Sequence, residues 1–125
     1  MSLEVSDLNK SRRFYETALR TVGFKVVLED KDALGLANEQ CSVWLATPKA
    51  LRVQKTAPNP DEFVVADHFA FLVPDRQTVN KLVEILGGEG FKPLFPPEEH
   101  PEFQPGYYSA SFCDNDNNVI EFYTI

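Results

Sequence analysis

Apolar residues recur at helical spacing in two stretches of the chain. The first stretch follows Asp7 and stops at Gly23, and the second follows Asp75 and stops at Gly87-Gly88. An aspartate at the start of a helix accepts the free backbone N–H groups of the first turn, and a glycine is a common residue where a helix ends. This pattern predicts two helices. Their apolar positions are Leu8, Tyr15, Leu19 and Val22 in the first, and Val79, Leu82, Val83 and Leu86 in the second.

The rest of the chain is rich in residues that favour strands, interrupted by turn-forming residues. The run 114–118 (Asp-Asn-Asp-Asn-Asn) predicts a tight turn between the last two strands, because Asn and Asp tolerate left-handed backbone and bond to their own turn. The predicted strands are Phe24–Glu29, Leu34–Ala37, Cys41–Ala46, His68–Val73, Phe91–Leu94, Tyr107–Cys113 and Val119–Thr124.

The chain also carries an internal repeat. Val-Ser-Asp at 5–7 and Gly-Phe-Lys at 23–25 return as Val-Pro-Asp at 73–75 and Gly-Phe-Lys at 90–92, with offsets of 68 and 67 residues. We therefore expect an α+β protein of two βαβββ modules, about 1–47 and 66–125, joined by a linker over about 48–65. Packing the two sheets into one half-open curved β-barrel would give a concave face for a ligand.

Composition and charge narrow the functional classes. The chain has 125 residues, 43% of them hydrophobic and 12% aromatic, which excludes a disordered chain. Its formal net charge of −7 disfavours nucleic acid and anionic membranes as partners. No apolar run approaches the roughly 20 residues of a membrane span, no signal peptide is recognisable, and two cysteines make no disulfide framework. We expect a cytoplasmic protein with reduced thiols.

Candidate chemistry centres on His68 and Glu121, in the first and last strands of module 2. A carboxylate in an apolar strand is costly unless it is paired or bound to a metal. Taken alone, His68 is compatible with a hydrogen-bonded core histidine, and Glu121 with a solvent-facing edge. If they meet inside the barrel, they are ligands suited to a divalent metal ion, Fe(II), Mn(II), Ni(II), Zn(II) or Co(II).

Three motifs together resemble the vicinal oxygen chelate superfamily, which contains glyoxalase I, bleomycin and fosfomycin resistance proteins and extradiol dioxygenases. They are the opening at 5–15 (VSDLNKSRRFY), the strand at 68–73 (HFAFLV) followed by Asp75, and the segment 106–121, which ends at Glu121. The resemblance implies a glyoxalase-like fold and metal ligands at His68 and Glu121. The equivalent first-strand histidine of module 1 would fall one residue before Met1, and the last strand of that module offers neither His nor carboxylate. Either the natural protein lacks this ligand or residues ahead of Met1 supply it.

The resemblance leaves two functions open. One is a metal-dependent enzyme that acts on a small oxygen-rich substrate by Lewis-acid chemistry, of the lyase, isomerase or dioxygenase type. The other is a metal-free small-molecule binding module of the bleomycin-resistance type. In the enzyme, Glu121 or Tyr108 would move the proton.

Further residues are expected to bind the ligand or to complete the assembly. Trp44, Tyr107 and His100 are predicted substrate-binding residues. Tyr107 and Tyr108 should point to opposite faces of their strand, so at most one lines the site. The proline-rich stretch Pro93–Pro105 is either a lid or a loop that covers a sheet edge. A homodimer is expected, as is frequent in the family.

Overall fold

The computed structural model describes residues 1–48 and 68–125. Contacts divide the chain into two compact units, Met1–Val65 and Ala66–Ile125, here called unit 1 and unit 2. The predicted linker at 48–65 lies outside the described residues except for Pro48. Across the described part of the chain, no helix is long and apolar enough to cross a membrane. Cys41 and Cys113 are both exposed and form no disulfide.

Unit 1 is a four-stranded sheet with one helix packed on it. Its strands are β1 (Ser2–Glu4), β2 (Lys25–Glu29), β3 (Ala33–Ala37) and β4 (Ser42–Ala46), and its helix is α1 (Leu8–Thr21). The strand order is β1-β4-β3-β2, in which β1 runs parallel to β4 and the other pairs are antiparallel. Helix α1 packs on β2, β3 and β4.

Unit 2 repeats this arrangement. Its strands are β5 (His68–Leu72), β6 (Phe95–Glu99), β7 (Tyr108–Cys113) and β8 (Val119–Thr124), and its helix is α2 (Arg76–Gly88). The strand order is β5-β8-β7-β6, again with one parallel pair, β5 and β8. The predicted α+β class and the two βαβββ modules are therefore confirmed, and each sheet is an open one with two edges.

Both helices begin as their sequences predict. The Asp7 carboxylate accepts from the backbone N–H of Lys10, and the Asp75 carboxylate accepts from that of Thr78. After each helix, a glycine takes a left-handed conformation, Gly23 at φ 94° and Gly90 at φ 89°. This conformation is accessible to glycine at little cost, which explains the Gly-Phe-Lys repeat at the end of each helix.

The buried face of each helix follows the predicted apolar spacing in part, since Leu8, Val22 and Val83 are only half-buried. In unit 1, Phe14, Ala18 and Leu19 are fully buried against a sheet face that includes Leu34, Leu36, Val43 and Leu45. In unit 2, Val79, Leu82 and Leu86 are fully buried against a face that includes Ala110, Phe112, Ile120 and Phe122. The apolar residues of each sheet therefore define the face that the helix covers.

One strand lies where the sequence did not predict it. The predicted strand Phe91–Leu94 is wrong: the third element of unit 2 is β6, Phe95–Glu99, inside the proline-rich stretch. A register shift between Phe95 and Glu98 accommodates Pro96 and Pro97, and β6 is an edge strand. Proline is tolerated at an edge or a bulge because no partner needs its missing N–H there.

The turn between β7 and β8 forms as predicted. The Asp114 carboxylate accepts from the backbone N–H groups of Asp116 and Asn118, at 2.9 and 2.8 Å. Asn117 adopts a left-handed conformation with φ 63°. Asparagine visits this region more readily than most residues.

Candidate functional site

Strand register places His68 and Glu121 on the same face of the unit 2 sheet. Ala70 lies opposite Glu121 in the parallel pair of β5 and β8, and His68 is two residues from Ala70. Residues two apart on a strand share a face, so both side chains leave the sheet on the side that α2 does not cover. We call this side the polar face of unit 2. It carries His68, Ser109, Ser111, Glu121 and Tyr123.

His68 and Glu121 meet on this face. The Nε2 atom of His68 lies 3.0 Å from Oε2 of Glu121. The histidine side chain is 55% exposed, whereas that of Glu121 is 10% exposed. Burying a carboxylate removes most of its hydration, and hydrogen bonds must replace it. The His68 bond supplies one such replacement and leaves an imidazole edge open to solvent.

Tyr107 supplies the second bond to Glu121. Its hydroxyl donates to Oε1 at 2.8 Å, and its ring stacks on that of Tyr123 with centroids 5.1 Å apart. Burial, and then the hydrogen bond to Glu121, raise the pKa of Tyr107 above its usual range. The phenol therefore stays protonated and acts as a donor at neutral pH.

His68 and Glu121 are side chains of the type that binds divalent cations, but they supply two ligands. An imidazole nitrogen and a carboxylate oxygen are both common ligands of first-row metal ions, and they converge within 3.0 Å. Within residues 1–48 and 68–125, no group of three or more His, Cys, Asp or Glu side chains could hold a metal ion together. His68 and Glu121 would therefore supply two protein ligands and leave the remaining positions to water or to a substrate.

The equivalent position in unit 1 is a tryptophan. In unit 1, Trp44 on β4 pairs with Ser2 on β1 and with Gly35 on β3. In unit 2, Glu121 on β8 pairs in the same way with Ala70 on β5 and with Ser111 on β7. A Cβ added at Gly35 would lie 2.4 Å from the Trp44 ring, so the indole lies directly across the glycine. The indole Nε1 donates to Oγ of Ser42 at 3.0 Å. Trp44, predicted as substrate-binding, therefore takes the place in unit 1 that the carboxylate takes in unit 2.

Tyr108 does not lie at this site. Its hydroxyl donates to Oδ1 of Asn80 on α2 at 2.6 Å, and the guanidinium of Arg76 lies 4.9 Å from its ring centre. Tyr108 is thus on the face that α2 covers, and the structure does not bring it to His68 and Glu121, where its role in proton transfer was expected. The tyrosine beside Glu121 is Tyr107, which we predicted only as substrate-binding.

His100 lies beside Tyr107 in the connection between β6 and β7. Its Nδ1 lies 2.9 Å from Oε1 of Glu102, and its ring stacks on Phe103 at 5.3 Å. Phe103 in turn contacts Tyr107 edge to face at 5.4 Å. An aromatic cluster of His100, Phe103, Tyr107 and Tyr123 therefore runs to Glu121.

The sequence carries a signal for the side chains that lie beside Glu121, although Tyr123 was not among the residues predicted for the site. In β7, Ala110 and Phe112 are the buried apolar residues that face α2. Alternation puts Tyr108 on the same side as these residues and Tyr107 on the other. The same alternation in β8 places Tyr123 beside Glu121.

Comparison with known proteins agrees with this fold. The model of the Glyoxalase/Bleomycin resistance protein/Dioxygenase superfamily matches residues 1–122. No curated protein matches significantly.

Solved structures of the same architecture cover almost the whole chain. A hypothetical protein of S. aureus is 25% identical, with a TM-score of 0.68, and the match covers 99% of this chain and 90% of that one. A lactoylglutathione lyase from Agrobacterium tumefaciens is 20% identical, with a TM-score of 0.75 and coverage of 99% and 90%. A glyoxalase/bleomycin resistance protein/dioxygenase family enzyme from Burkholderia phytofirmans PsJN is 18% identical, with a TM-score of 0.74 and coverage of 100% and 95%. With its paired βαβββ modules and a family match over residues 1–122, the chain belongs to the Glyoxalase/Bleomycin resistance protein/Dioxygenase superfamily.

Proposed function

We propose that the polar face of unit 2 binds a small oxygen-rich molecule at a divalent cation held by His68 and Glu121, and that the protein is a metal-dependent enzyme. The observation that carries this proposal is the convergence of a largely buried carboxylate and a half-exposed imidazole within 3.0 Å. When bound, the cation would act as a Lewis acid toward the oxygens of the substrate. The reaction classes proposed are lyase, isomerase and dioxygenase.

The side chains have defined tasks in this proposal. Glu121 provides negative charge on a face where it is shielded from water, which strengthens its attraction for a cation. In the tautomer with its proton on Nε2, His68 donates to the carboxylate, and binding a metal through Nε2 requires the tautomer with the proton on Nδ1. Cation binding and the His68–Glu121 hydrogen bond therefore compete for the same two atoms.

Exposure of His68 gives a ligand access to this pair. More than half of the His68 side-chain surface faces solvent.

The Tyr107 phenol stays protonated and has one proton to donate. It can donate a hydrogen bond to the bound molecule only when it no longer donates to Glu121. Glu121 is the group proposed to move a proton in the reaction, because it is the carboxylate at the site.

A second candidate function has its own support. Trp44 occupies the place in unit 1 that Glu121 occupies in unit 2, and indole rings bind ligands by stacking rather than by metal ligation. This favours a metal-free module in which Trp44 of unit 1 stacks on a bound aromatic molecule.

A metal titration separates the two functions. We would titrate the protein with Mn(II), Ni(II), Zn(II) and Co(II) by calorimetry, alongside His68→Ala and Glu121→Gln. The chain offers a matched control in His100→Ala and Glu102→Gln, since that pair has the same chemistry and nearly the same spacing on an exposed loop. The metal-dependent function predicts saturable binding at one site, lost in the first two variants and kept in the controls.

Two results would overturn the metal-dependent function. The first is the absence of saturable binding in the unaltered protein. The second is binding that survives both His68→Ala and Glu121→Gln. Trp44 fluorescence quenched saturably by an aromatic ligand in metal-free buffer would then support the binding module.

Three predictions about context remain part of the proposal. A homodimer is expected, and sedimentation at micromolar concentration would reveal the mass of one chain or of two. Large apolar side chains are exposed on the edge strands β2 and β6, including Leu28 and Phe95 at 41% and 59%. Edge strands of this kind are commonly covered. A cytoplasmic location is also expected, with a small molecule rather than nucleic acid or membrane as the ligand.

A further inference from the structure

We infer that Tyr107 is a positioning residue: its hydroxyl fixes one oxygen of Glu121 and thereby aims the other at His68. The inference rests on the proposed function, because it gives Tyr107 a part in the same site. It assigns Tyr107 no contact with the cation.

A glutamate carboxylate is free to rotate unless both of its oxygens are held. The last torsion of Glu is broad, so a carboxylate anchored through one oxygen can still rotate. In Glu121, Oε1 accepts from Tyr107 at 2.8 Å and Oε2 lies 3.0 Å from His68. Two anchors on two oxygens define the plane of the group. Among the residues that the structure describes, removing the Tyr107 hydroxyl would leave His68 as the one side chain that orients it.

Tyr107 itself is held by contacts that do not involve Glu121. Its ring stacks on Tyr123 with an interplanar angle of 11°, and Phe103 meets it edge to face. Its backbone N–H donates to Gln104 and its carbonyl accepts from His100, at 3.1 and 2.8 Å. The hydroxyl is therefore placed by the connection between β6 and β7, so it can impose an orientation on Glu121.

The neighbouring tyrosine offers a matched control. Tyr108 is one residue away, also donates its hydroxyl to an oxygen acceptor, and does so on the opposite face, to Asn80. Tyr108→Phe removes the same atom from the adjacent residue, the first of β7, without touching Glu121. Any effect seen in Tyr107→Phe and not in Tyr108→Phe belongs to the Glu121 contact.

The test uses two readouts. The first is the ¹⁵N chemical shift of His68 Nε2 in the metal-free protein at one fixed pH, which reports its hydrogen bond to Glu121. The second is the affinity for the cation that binds the unaltered protein best. We expect Tyr107→Phe to shift the Nε2 signal and to weaken cation binding about tenfold or more, as is usual for groups that orient a metal ligand. Tyr108→Phe should change neither.

Each combination of results has a defined meaning. If the ¹⁵N chemical shift of His68 Nε2 is the same in Tyr107→Phe as in Tyr108→Phe, the positioning role of Tyr107 is wrong, whether or not a metal ion binds. If the signal moves but the unaltered protein binds no cation, the positioning role stands and the proposed metal function fails. If the Nε2 signal moves in Tyr107→Phe but the cation affinity of this variant equals that of Tyr108→Phe, the orientation of Glu121 does not affect cation binding and the inference is overturned.

Discussion

Unit 1 and unit 2 share a scaffold and differ in what they place on it. Strand orders β1-β4-β3-β2 and β5-β8-β7-β6 are equivalent, and each unit has its parallel pair in the same position. The Val5 N–H donates to the Ala46 carbonyl at 2.9 Å, as the Val73 N–H donates to the Tyr123 carbonyl at 2.8 Å. The same backbone hydrogen bond forms at equivalent residues of the two units, so the units share the same strand register.

One difference lies in a cross-strand pair on the face away from the helix. Unit 1 has Gly35 opposite Trp44, and unit 2 has Ser111 opposite Glu121. On the helix side, both units bury a core of apolar residues, which sets the fold. The helix side therefore determines the architecture that the two units share. On the other side, the cross-strand pair presents an aromatic ring in unit 1 and a carboxylate in unit 2. Substitutions at the shared core positions of the helices should therefore have larger effects than substitutions at the cross-strand pair that differs.

The largest expected effect concerns the shared helix positions Leu19 and Leu86. Both are fully buried, and both carry the carbonyl that accepts from the phenylalanine N–H after the helix, at 2.9 Å. Leu19→Ala and Leu86→Ala should each lower the free energy of unfolding by about 2–5 kcal/mol, because each leaves a cavity in the core. Denaturant titration measures this.

Lys10→Ala and Lys81→Ala are the controls, since both residues are exposed on the same helices. They should change stability by less than about 0.5 kcal/mol. A cost below about 1 kcal/mol for only one of the two leucines would break the equivalence of the units.

The next effect concerns the pair that differs. Gly35→Ala places a Cβ within 2.4 Å of the Trp44 ring, which must move and strain its bond to Ser42. We expect a loss of about 1–3 kcal/mol in the free energy of unfolding, typical of overpacking. Ser111→Ala, at the equivalent place in unit 2, should cost less because a side chain already fits there.

A double-mutant cycle shows whether Trp44 is the cause. In a Trp44→Ala background, Gly35→Ala should be close to neutral, since the clashing ring is gone. An equal penalty in both backgrounds would mean that the glycine is required for some other reason.

The smallest effect is a dependence on pH. The Thr78 hydroxyl, and then its backbone N–H, lower the pKa of the Asp75 carboxyl. A group with a lowered folded-state pKa stabilises the fold above its unfolded pKa, and this contribution is lost as the pH falls through the folded value. Stability should therefore decline below about pH 4, the ordinary range for aspartate. Asp75→Asn keeps a good helix cap but cannot titrate, so its stability should decline less with acid.

Thr78→Val provides the matching control. It removes the hydroxyl that lowers the Asp75 pKa most and leaves the backbone bond in place. Its acid decline should fall between those of the unaltered protein and Asp75→Asn. Identical profiles for all three proteins would contradict the assignment.

Much of the fold follows from local sequence signals. The caps at Asp7 and Asp75 and the apolar spacing after them define both helices. The strand at His68 is predicted by its apolar and aromatic residues, and the strand at Glu121 by its β-branched and aromatic residues. Strand β6 was missed because prolines normally argue against a strand, whereas an edge position with a bulge accommodates them.

The candidate site was predictable in part. His68 and Glu121 were identified from their strands and from the family resemblance. The match between Trp44 and Glu121 could not be read from the repeat, because their offset is 77 residues (121 − 44) rather than 67 or 68. The connection between β6 and β7 is longer than that between β2 and β3, and only the strand register restores the alignment. The bond from Tyr107 to Glu121 depends on how that connection folds, which no local pattern encodes.

The most direct test of the central claim is paramagnetic broadening of backbone amide NMR signals by substoichiometric Mn(II). Ala70 and Ser111 are the cross-strand neighbours of Glu121. If His68 and Glu121 hold the cation, the amide signals of these three residues should broaden first and saturably. The broadening should disappear in His68→Ala and persist in His100→Ala. Broadening that is strongest at the acidic turn Asp114–Asn118 or at His100–Glu102, and that is unchanged by His68→Ala, would contradict it.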